Sequence, residues 1–221
     1  GTSRSLVDRA LTGRDYLCGV RYLPRPTVVS GVPVGVSHLR RGVARCGAIC
    51  WCPMSELIIR GATDADLQAI TDIYNEAVLE RMSSADIEPR TLAQRKAWVD
   101  SHEPRDRYPV VVVESADGQI MAFGSLSRFH ERAGYDGVVE LSYYVGSAWR
   151  RQGVGRRLVA WLLDEARRVG HRMAATLIFA DNEGSSALMR HFGFERFGLM
   201  PDAVHLPGGI RHDIAYWYLP L

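Results

Sequence analysis

Arg150-Arg151-Gln152-Gly153-Val154-Gly155 is the stretch whose reading decides the fold. The residues before it, Val138-Val139-Glu140-Leu141-Ser142-Tyr143-Tyr144-Val145, are rich in β-branched and aromatic types and read as a strand. The residues after it, 153–169, place Leu158, Val159, Leu162, Leu163, Ala166 and Val169 on one helical face and stop at Gly170. Gly153 and Gly155 lack Cβ atoms, so the backbone there can approach a ligand closely. Amides at a helix start are unpaired, and the helix dipole favours an anion beside them. Arg150 and Arg151 add positive charge. From spacing alone, the stretch is either an anion-binding turn or a tight strand-to-helix turn with a solvated basic face.

Working outward, 57–60 reads as a first strand. Thr63 reads as the N-cap of a helix to about Leu79, with Leu67, Ile70, Ile73, Tyr74, Ala77 and Val78 on one face. Thr91-Leu92-Ala93-Gln94 has capping-box spacing and opens a helix through Trp98. Residues 108–114 form a β-branched run, Asp117-Gly118 is a hairpin turn, and 120–129 is its partner strand. After the 153–169 helix come a strand at 172–179, a short helix at 185–191 ended by Gly193, and strands at 194–199 and 210–219. The order β-α-α-β-β-β-α-β-α-β-β predicts an α/β fold: a mixed sheet with helices packed on it.

These patterns begin only at Met54. Residues 1–53 recur in proline and glycine and sustain neither the helical nor the strand period. They carry eight of the 27 basic residues and two of the 25 acidic ones, which leaves 19 basic against 23 acidic side chains in 54–221. We therefore expect a basic leader at 1–53, disordered or outside the native protein, and a catalytic domain at 54–221. The basic excess lies in the leader, so nucleic-acid binding is not expected. Cys18, Cys46, Cys50 and Cys52 all precede Met54. A cysteine-free domain fits a reducing cytoplasm, and the matched second pair of a zinc site is missing, so no metal is expected. No apolar run reaches the roughly 18–20 residues that span a bilayer.

The glycine-rich stretch is not a P-loop, because no Gly-Lys-Ser/Thr follows, and it lacks the third glycine of a dinucleotide fingerprint. It resembles the Arg/Gln-x-x-Gly-x-Gly/Ala signature of the GNAT superfamily of N-acetyltransferases. Within that superfamily the chain is similar to the phosphinothricin and methionine sulfone/sulfoximine acetyltransferases. The supporting stretches are Ile73-Tyr74-Asn75-Glu76-Ala77-Val78, Tyr108-Pro109-Val110, Gly134-Tyr135-Asp136, Glu140-Leu141-Ser142-Tyr143-Tyr144-Val145, Asn182 with Ser185, and Phe192-Gly193-Phe194.

The resemblance implies transfer of acetyl from acetyl-coenzyme A to the primary amine of a small molecule such as an amino acid. It implies that Arg150, Arg151, Gln152, Gly153, Val154, Gly155 and Arg156 hold the pyrophosphate. It also implies that the backbone of Tyr143, Tyr144 and Val145, on a strand that splays from its neighbour, meets pantetheine, and that Asn182 and Ser185 contact the coenzyme. Asn182 reads equally as a turn residue at a helix start. Glu140, alone in an apolar strand, matches the glutamate that takes the amine's proton, and burial would raise its pKa. It reads otherwise as a solvent-facing or arginine-paired strand residue. His130, Arg132, Tyr135, Glu140 and Ser142 fall on the acceptor side, and His130, Arg132 or Arg211 could bind a carboxylate.

The departures cluster on the same side. Met189 stands where the family often has histidine or tyrosine, Ala85 where it has an aromatic residue, and Arg211 where it has tryptophan. Two alternatives stay open: acetylation of a protein N-terminus or lysine, and a non-catalytic acyl-coenzyme A sensor. The resemblance further implies a homodimer.

Overall fold

The computed structural model describes residues 57–221, and the leader with its cysteines lies outside them. Eleven elements follow in the expected order. They are β1 (Ile58–Gly61), α1 (Leu67–Glu80), α2 (Leu92–Asp100), β2 (Val110–Glu114), β3 (Ile120–Arg128) and β4 (Val138–Val145), then α3 (Val154–Arg168), β5 (Met173–Phe179), α4 (Glu183–His191), β6 (Glu195–Leu206) and β7 (Ile210–Pro220). The strands form one sheet in the order β1-β2-β3-β4-β5-β7-β6. Every neighbouring pair is antiparallel except β4 with β5.

The alternation along β4 assigns its two faces. Val139, Leu141, Tyr143 and Val145 turn toward α3, joining Leu158, Val159, Leu162 and Ala166 in the main core. Tyr144 turns the other way, toward α1, packing with Ile70, Ile73, Val112 and Phe123. Glu140 and Ser142 share its parity. Each fully buried leucine on α3 contributes roughly 1.5–3 kcal/mol by leaving water, so this helix pins the sheet from below the glycine-rich turn. His102, His171 and Trp217 are buried structural residues, and burial lowers the basicity of both imidazoles.

The element ends moved for identifiable reasons. Thr63 caps a 3-10 turn, Asp64–Asp66, rather than α1 itself. The Asp66 carboxylate accepts from the Thr63 amide (2.8 Å) and from Arg60 (2.7 and 2.8 Å), which tightens that first turn. The Arg60 hydrogen bonds hold the Asp66 pKa down at about 2. α2 has the expected capping box, Thr91 N–H to Gln94 Oε1 at 2.9 Å and Gln94 N–H to Thr91 Oγ1 at 3.2 Å, and runs to Asp100. α4 starts at Glu183, two residues before the expected start at 185, with Asn182 as its cap, the turn residue expected at the helix start. β6 runs twelve residues to Leu206, with register breaks between Arg196 and Gly198 and between Met200 and Val204. It is an edge strand, and Pro201 sits within the second break, where a missing N–H costs no ladder bond. Among the described residues no helix is long and apolar enough to cross a membrane.

Candidate active site

β4 and β5 pair over only three positions, Val138 with Met173, Val139 with Ala174 and Glu140 with Ala175. Beyond Glu140 the strands part, while β4 stays bound to β3 all the way to Val145. The β5-facing edge of β4 therefore carries no strand partner from Leu141 to Val145. A cleft of about 1030 Å³ opens in this wedge. Its walls come from β4 (Ser142, Tyr143, Tyr144, Val145), from β5 (Thr176 to Phe179) and from the ends of α1, α3 and α4. Backbone groups without a strand partner are available there to a polar ligand.

The glycine-rich turn forms one end of that cleft. Gly153 is the N-cap of α3 in the left-handed region (φ 82°), and Arg151 is left-handed as well (φ 60°). The helix bonds begin with Arg157 N–H to Gly153 O, so the amides from Gln152 to Arg156 have no intrahelical acceptor. A Cβ on Gly155 would sit 3.4 Å from Val145 Cγ2 and 3.7 Å from Leu188 Cδ2, where the helix start presses on the cleft floor. Val154 is buried in the core and offers only its backbone. Gln152 donates to Ala148 O at 2.8 Å and so ties the turn rather than lining the cleft.

The arginines divide. Arg150 is engaged by Glu80 on α1 (2.8 and 2.9 Å) and by the Val145 carbonyl (3.1 Å). Glu76, one helical turn earlier, accepts from the Ser147 amide at 2.7 Å. Two carboxylates at i and i+4 on α1 thus hold the loop that carries the turn. Arg151 and Arg156 line the cleft and pair with no carboxylate among the described residues. These two cations and the unpaired amides suit a diphosphate.

Glu140 stands at the vertex where the strands separate, opposite Ser127 on β3 and Ala175 on β5. It makes no hydrogen bond or ion pair among the described residues. It is half-buried, and burial alone pushes its carboxyl above the usual range. Glu140 stands two residues before Ser142, the first β4 residue on the cleft wall, and the carboxylates on that wall are occupied: Glu80 by Arg150, Asp181 by His212 at 2.9 Å, Glu183 by Arg190 at 3.7 Å.

Asn182 lines the cleft, but its side chain is spent within the fold. Its Oδ1 accepts from Ser185 N–H (3.0 Å), and its Nδ2 donates to Met82 O (3.2 Å). His212 bridges Asp181 and the Arg81 carbonyl (2.8 Å) while stacking on Phe179 (4.2 Å). These contacts strap the segment after α1 to the β5–α4 turn, so Met82 and Ser83 become cleft wall.

The remaining acceptor-side candidates gather elsewhere. His130, Arg132 and Tyr135 are exposed on the loop before β4, with His130 stacked on Tyr135 at 4.8 Å and accepting from Arg132 N–H at 3.1 Å. They do not line the cleft. Arg211 pairs with Asp202 at 3.0 Å in the β6–β7 hairpin. The sequence reading missed Glu80, Asp181 and His212. Only the Glu76–Glu80 spacing could have been found in the sequence, because the partners lie 31 to 131 residues apart.

The sequence was compared with known proteins. The family described as acetyltransferase (GNAT) matches residues 68–194. The L-methionine sulfoximine/L-methionine sulfone acetyltransferase of Pseudomonas aeruginosa is 36% identical over 143 residues, covering 65% of this chain and 83% of that protein. A phosphinothricin acetyltransferase from Sinorhizobium meliloti, solved in complex with acetyl-coenzyme A, is 30% identical, with a TM-score of 0.71 over 75% of this chain and 88% of that one. A ribosomal-protein-alanine N-acetyltransferase from Brucella melitensis is 35% identical, with a TM-score of 0.70 over 74% of this chain and 99% of that one.

Proposed function

Since the chain belongs to the acetyltransferase (GNAT) family, we propose that Glu140 is its general base and that its acceptor is the amine of an amino acid or close analogue. The protein is an acetyl-coenzyme A-dependent N-acetyltransferase of small amines. The observation that carries the proposal is Glu140 at the vertex of the β4/β5 wedge, two residues before the cleft wall begins at Ser142, with no hydrogen bond or ion pair among the described residues.

The residues divide the work. The coenzyme supplies the acetyl group as a thioester. The amides from Gln152 to Arg156, with Arg151 and Arg156, would hold its diphosphate, and the free edge of β4 at Tyr143, Tyr144 and Val145 would hold its arm. Asn182 and Ser185 shape the far wall. Arg150 serves by locking the turn to α1. An amine attacks only when neutral, so Glu140, directly or through one water, takes its proton. Its raised pKa brings it closer to the amine and makes it a stronger base than an exposed carboxylate. Ser142 and Tyr144 share the face of Glu140 and border the acceptor. His130, Arg132 and Tyr135 would recognise the acceptor's distal groups from the loop before β4.

A protein N-terminus is a second acceptor class, favoured by the likeness to the ribosomal-protein-alanine enzyme. Thiol release measured with methionine sulfone, methionine sulfoximine, phosphinothricin, ordinary amino acids, polyamines and an alanine-initiated peptide separates the readings. The highest kcat/KM should fall on a free amino acid or analogue, and a peptide preference would overturn that choice.

We place the catalytic unit at 54–221, so a chain beginning at Met54 should keep full activity. Phe197, Leu199 and Met200 are exposed on the edge strand β6, which supports a homodimer, and the absence of cysteine after Met54 supports the cytoplasm. Sedimentation of the purified protein tests the first.

A further inference from the structure

Both ring nitrogens of His212 face atoms that can only accept. Nδ1 lies 2.9 and 3.1 Å from the two carboxylate oxygens of Asp181, and Nε2 lies 2.8 Å from the backbone carbonyl of Arg81. A neutral imidazole carries a single N–H and could serve one of these two partners but not both. We propose that His212 is held as the imidazolium, and that in this form it is a positioning residue that sets the coenzyme cleft by tying the end of α1 to the β5–α4 turn. The proposal rests on the acetyltransferase reading above.

The ring is placed for that work. Its side chain is 3% exposed, so a ring nitrogen that loses its partner cannot turn to water instead. The Asp181 side chain is 53% exposed and stays a hydrated carboxylate, which leaves the proton on the ring. The ring also stacks on Phe179, with centroids 4.2 Å apart and planes 16° from parallel. Phe179 and Asp181 both line the cleft. The Ala180 amide donates to the Asp213 carbonyl at 2.9 Å and so keeps Asp181 beside β7. On the other wall, Arg81 has φ 58°, a conformation unfavourable for a residue with a Cβ. Two contacts hold it there: His212 on its carbonyl, and the Pro207 carbonyl, which accepts from its guanidinium at 2.6 Å. Met82 and Ser83, the next two residues, are cleft wall.

The other charged groups around the ring are committed elsewhere. Glu80, the residue before Arg81, holds Arg150. Arg211 and His205 pair with Asp202, and the Asp213 carboxylate accepts from the Asp202 amide at 2.8 Å. On β6 the residue paired with His212 is Val204. Asp181 is therefore the counter-ion of the ring. When the ring loses a proton, either the Asp181 carboxylate or the Arg81 carbonyl is left facing a lone pair, and that half of the strap is lost. The segment after α1 is then free of the β5–α4 turn. Coenzyme affinity is thus fully present while the ring is charged and falls as rising pH discharges it. By linkage, bound coenzyme holds the proton on the ring.

Asp181→Asn separates this role from that of a merely structural histidine. The asparagine amide can donate to Nδ1 of a neutral ring, whose Nε2–H then still serves Arg81, so the strap of this variant needs no charge. Two measurements are made on the full chain across a pH series. Nitrogen NMR on histidine-labelled protein reads which ring nitrogens of His212 carry hydrogen. Calorimetry, without any acceptor amine, reads the affinity for acetyl-coenzyme A. In the natural protein both nitrogens should carry hydrogen wherever affinity is high. Affinity should fall by about tenfold, the scale of one hydrogen bond to a charged group, in step with the loss of one proton from the ring. In Asp181→Asn that step should be absent, with a singly protonated ring still supporting binding. High affinity in the natural protein with a single N–H on the ring overturns the proposal. So does the same pH step in both proteins. A natural protein that shows the imidazolium yet binds no acetyl-coenzyme A overturns the functional reading, and the positioning role falls with it.

Discussion

Replacing Glu140 by Gln keeps the shape of the side chain and removes its basicity. The structure says how large the loss should be. General bases contribute about 10²–10⁴-fold, and the low end applies where a neighbouring carboxylate can substitute. Here Glu80, Asp181 and Glu183 are each held by a basic partner. No free carboxylate remains on the cleft wall, so the loss should be about 10³-fold in kcat, or roughly 4 kcal/mol in the barrier.

The same substitution makes a second, opposite prediction. Burial raises the Glu140 pKa above 4.5, so the fold favours the protonated form. Below the unfolded-state pKa this costs nothing. Stability is then lost as pH rises through the raised folded-state value. A neutral glutamine avoids that loss. The variant should therefore melt at the same temperature as the natural protein near pH 4 and at an equal or higher temperature at pH 7. Activity is read by thiol release, with the acid limb of kcat/KM in the natural protein lying above pH 4.5 and absent in the variant. Stability is read by thermal melts across the same range. A variant within threefold of the natural rate, or one clearly less stable at pH 7, would refute the account of Glu140 as a buried, unpartnered base.

Other perturbations test the frame around it. Asp66→Asn should cost about 2 kcal/mol at pH 7, since the Asp66 pKa lies at about 2 against an ordinary 3.8. The difference should shrink as pH falls from about 4 toward 2, checked by urea melts at each pH. Gly153→Ala forces a side chain into φ 82°, which costs about 1–2 kcal/mol and should raise KM for acetyl-coenzyme A more than it lowers kcat. Arg151→Gln with Arg156→Gln should weaken coenzyme binding by at least tenfold and flatten its salt dependence, measured by calorimetry. Neither change should alter the melting temperature by more than a degree or two, because neither arginine has a carboxylate partner to lose.

The periodic signals carried most of the architecture. α3 has one unbroken apolar face, and 110–113 is all valine, so their types and order were legible. β6 was cut short because nine of its twelve residues are exposed and show no alternation. Its length is set by pairing with β7, which lies outside any local window. The site was legible in its local parts only. Gly153, Gly155 and the turn's arginines are neighbours in sequence, and Glu140 stands out as a charge in an apolar strand. The capture of Arg150 by Glu80 spans 70 residues, and the strap from His212 to Arg81 spans 131, so no spacing foretold them.

The central claim is tested most directly by following the acetyl group itself. The protein would be incubated with acetyl-coenzyme A labelled in the acetyl carbons and with the best amine of the panel, and the products resolved by mass spectrometry. The account predicts labelled N-acetyl product and free coenzyme A in equal amounts, both suppressed about 10³-fold by Glu140→Gln. Free coenzyme A without labelled amide, or no release by a protein that binds the coenzyme, would contradict it.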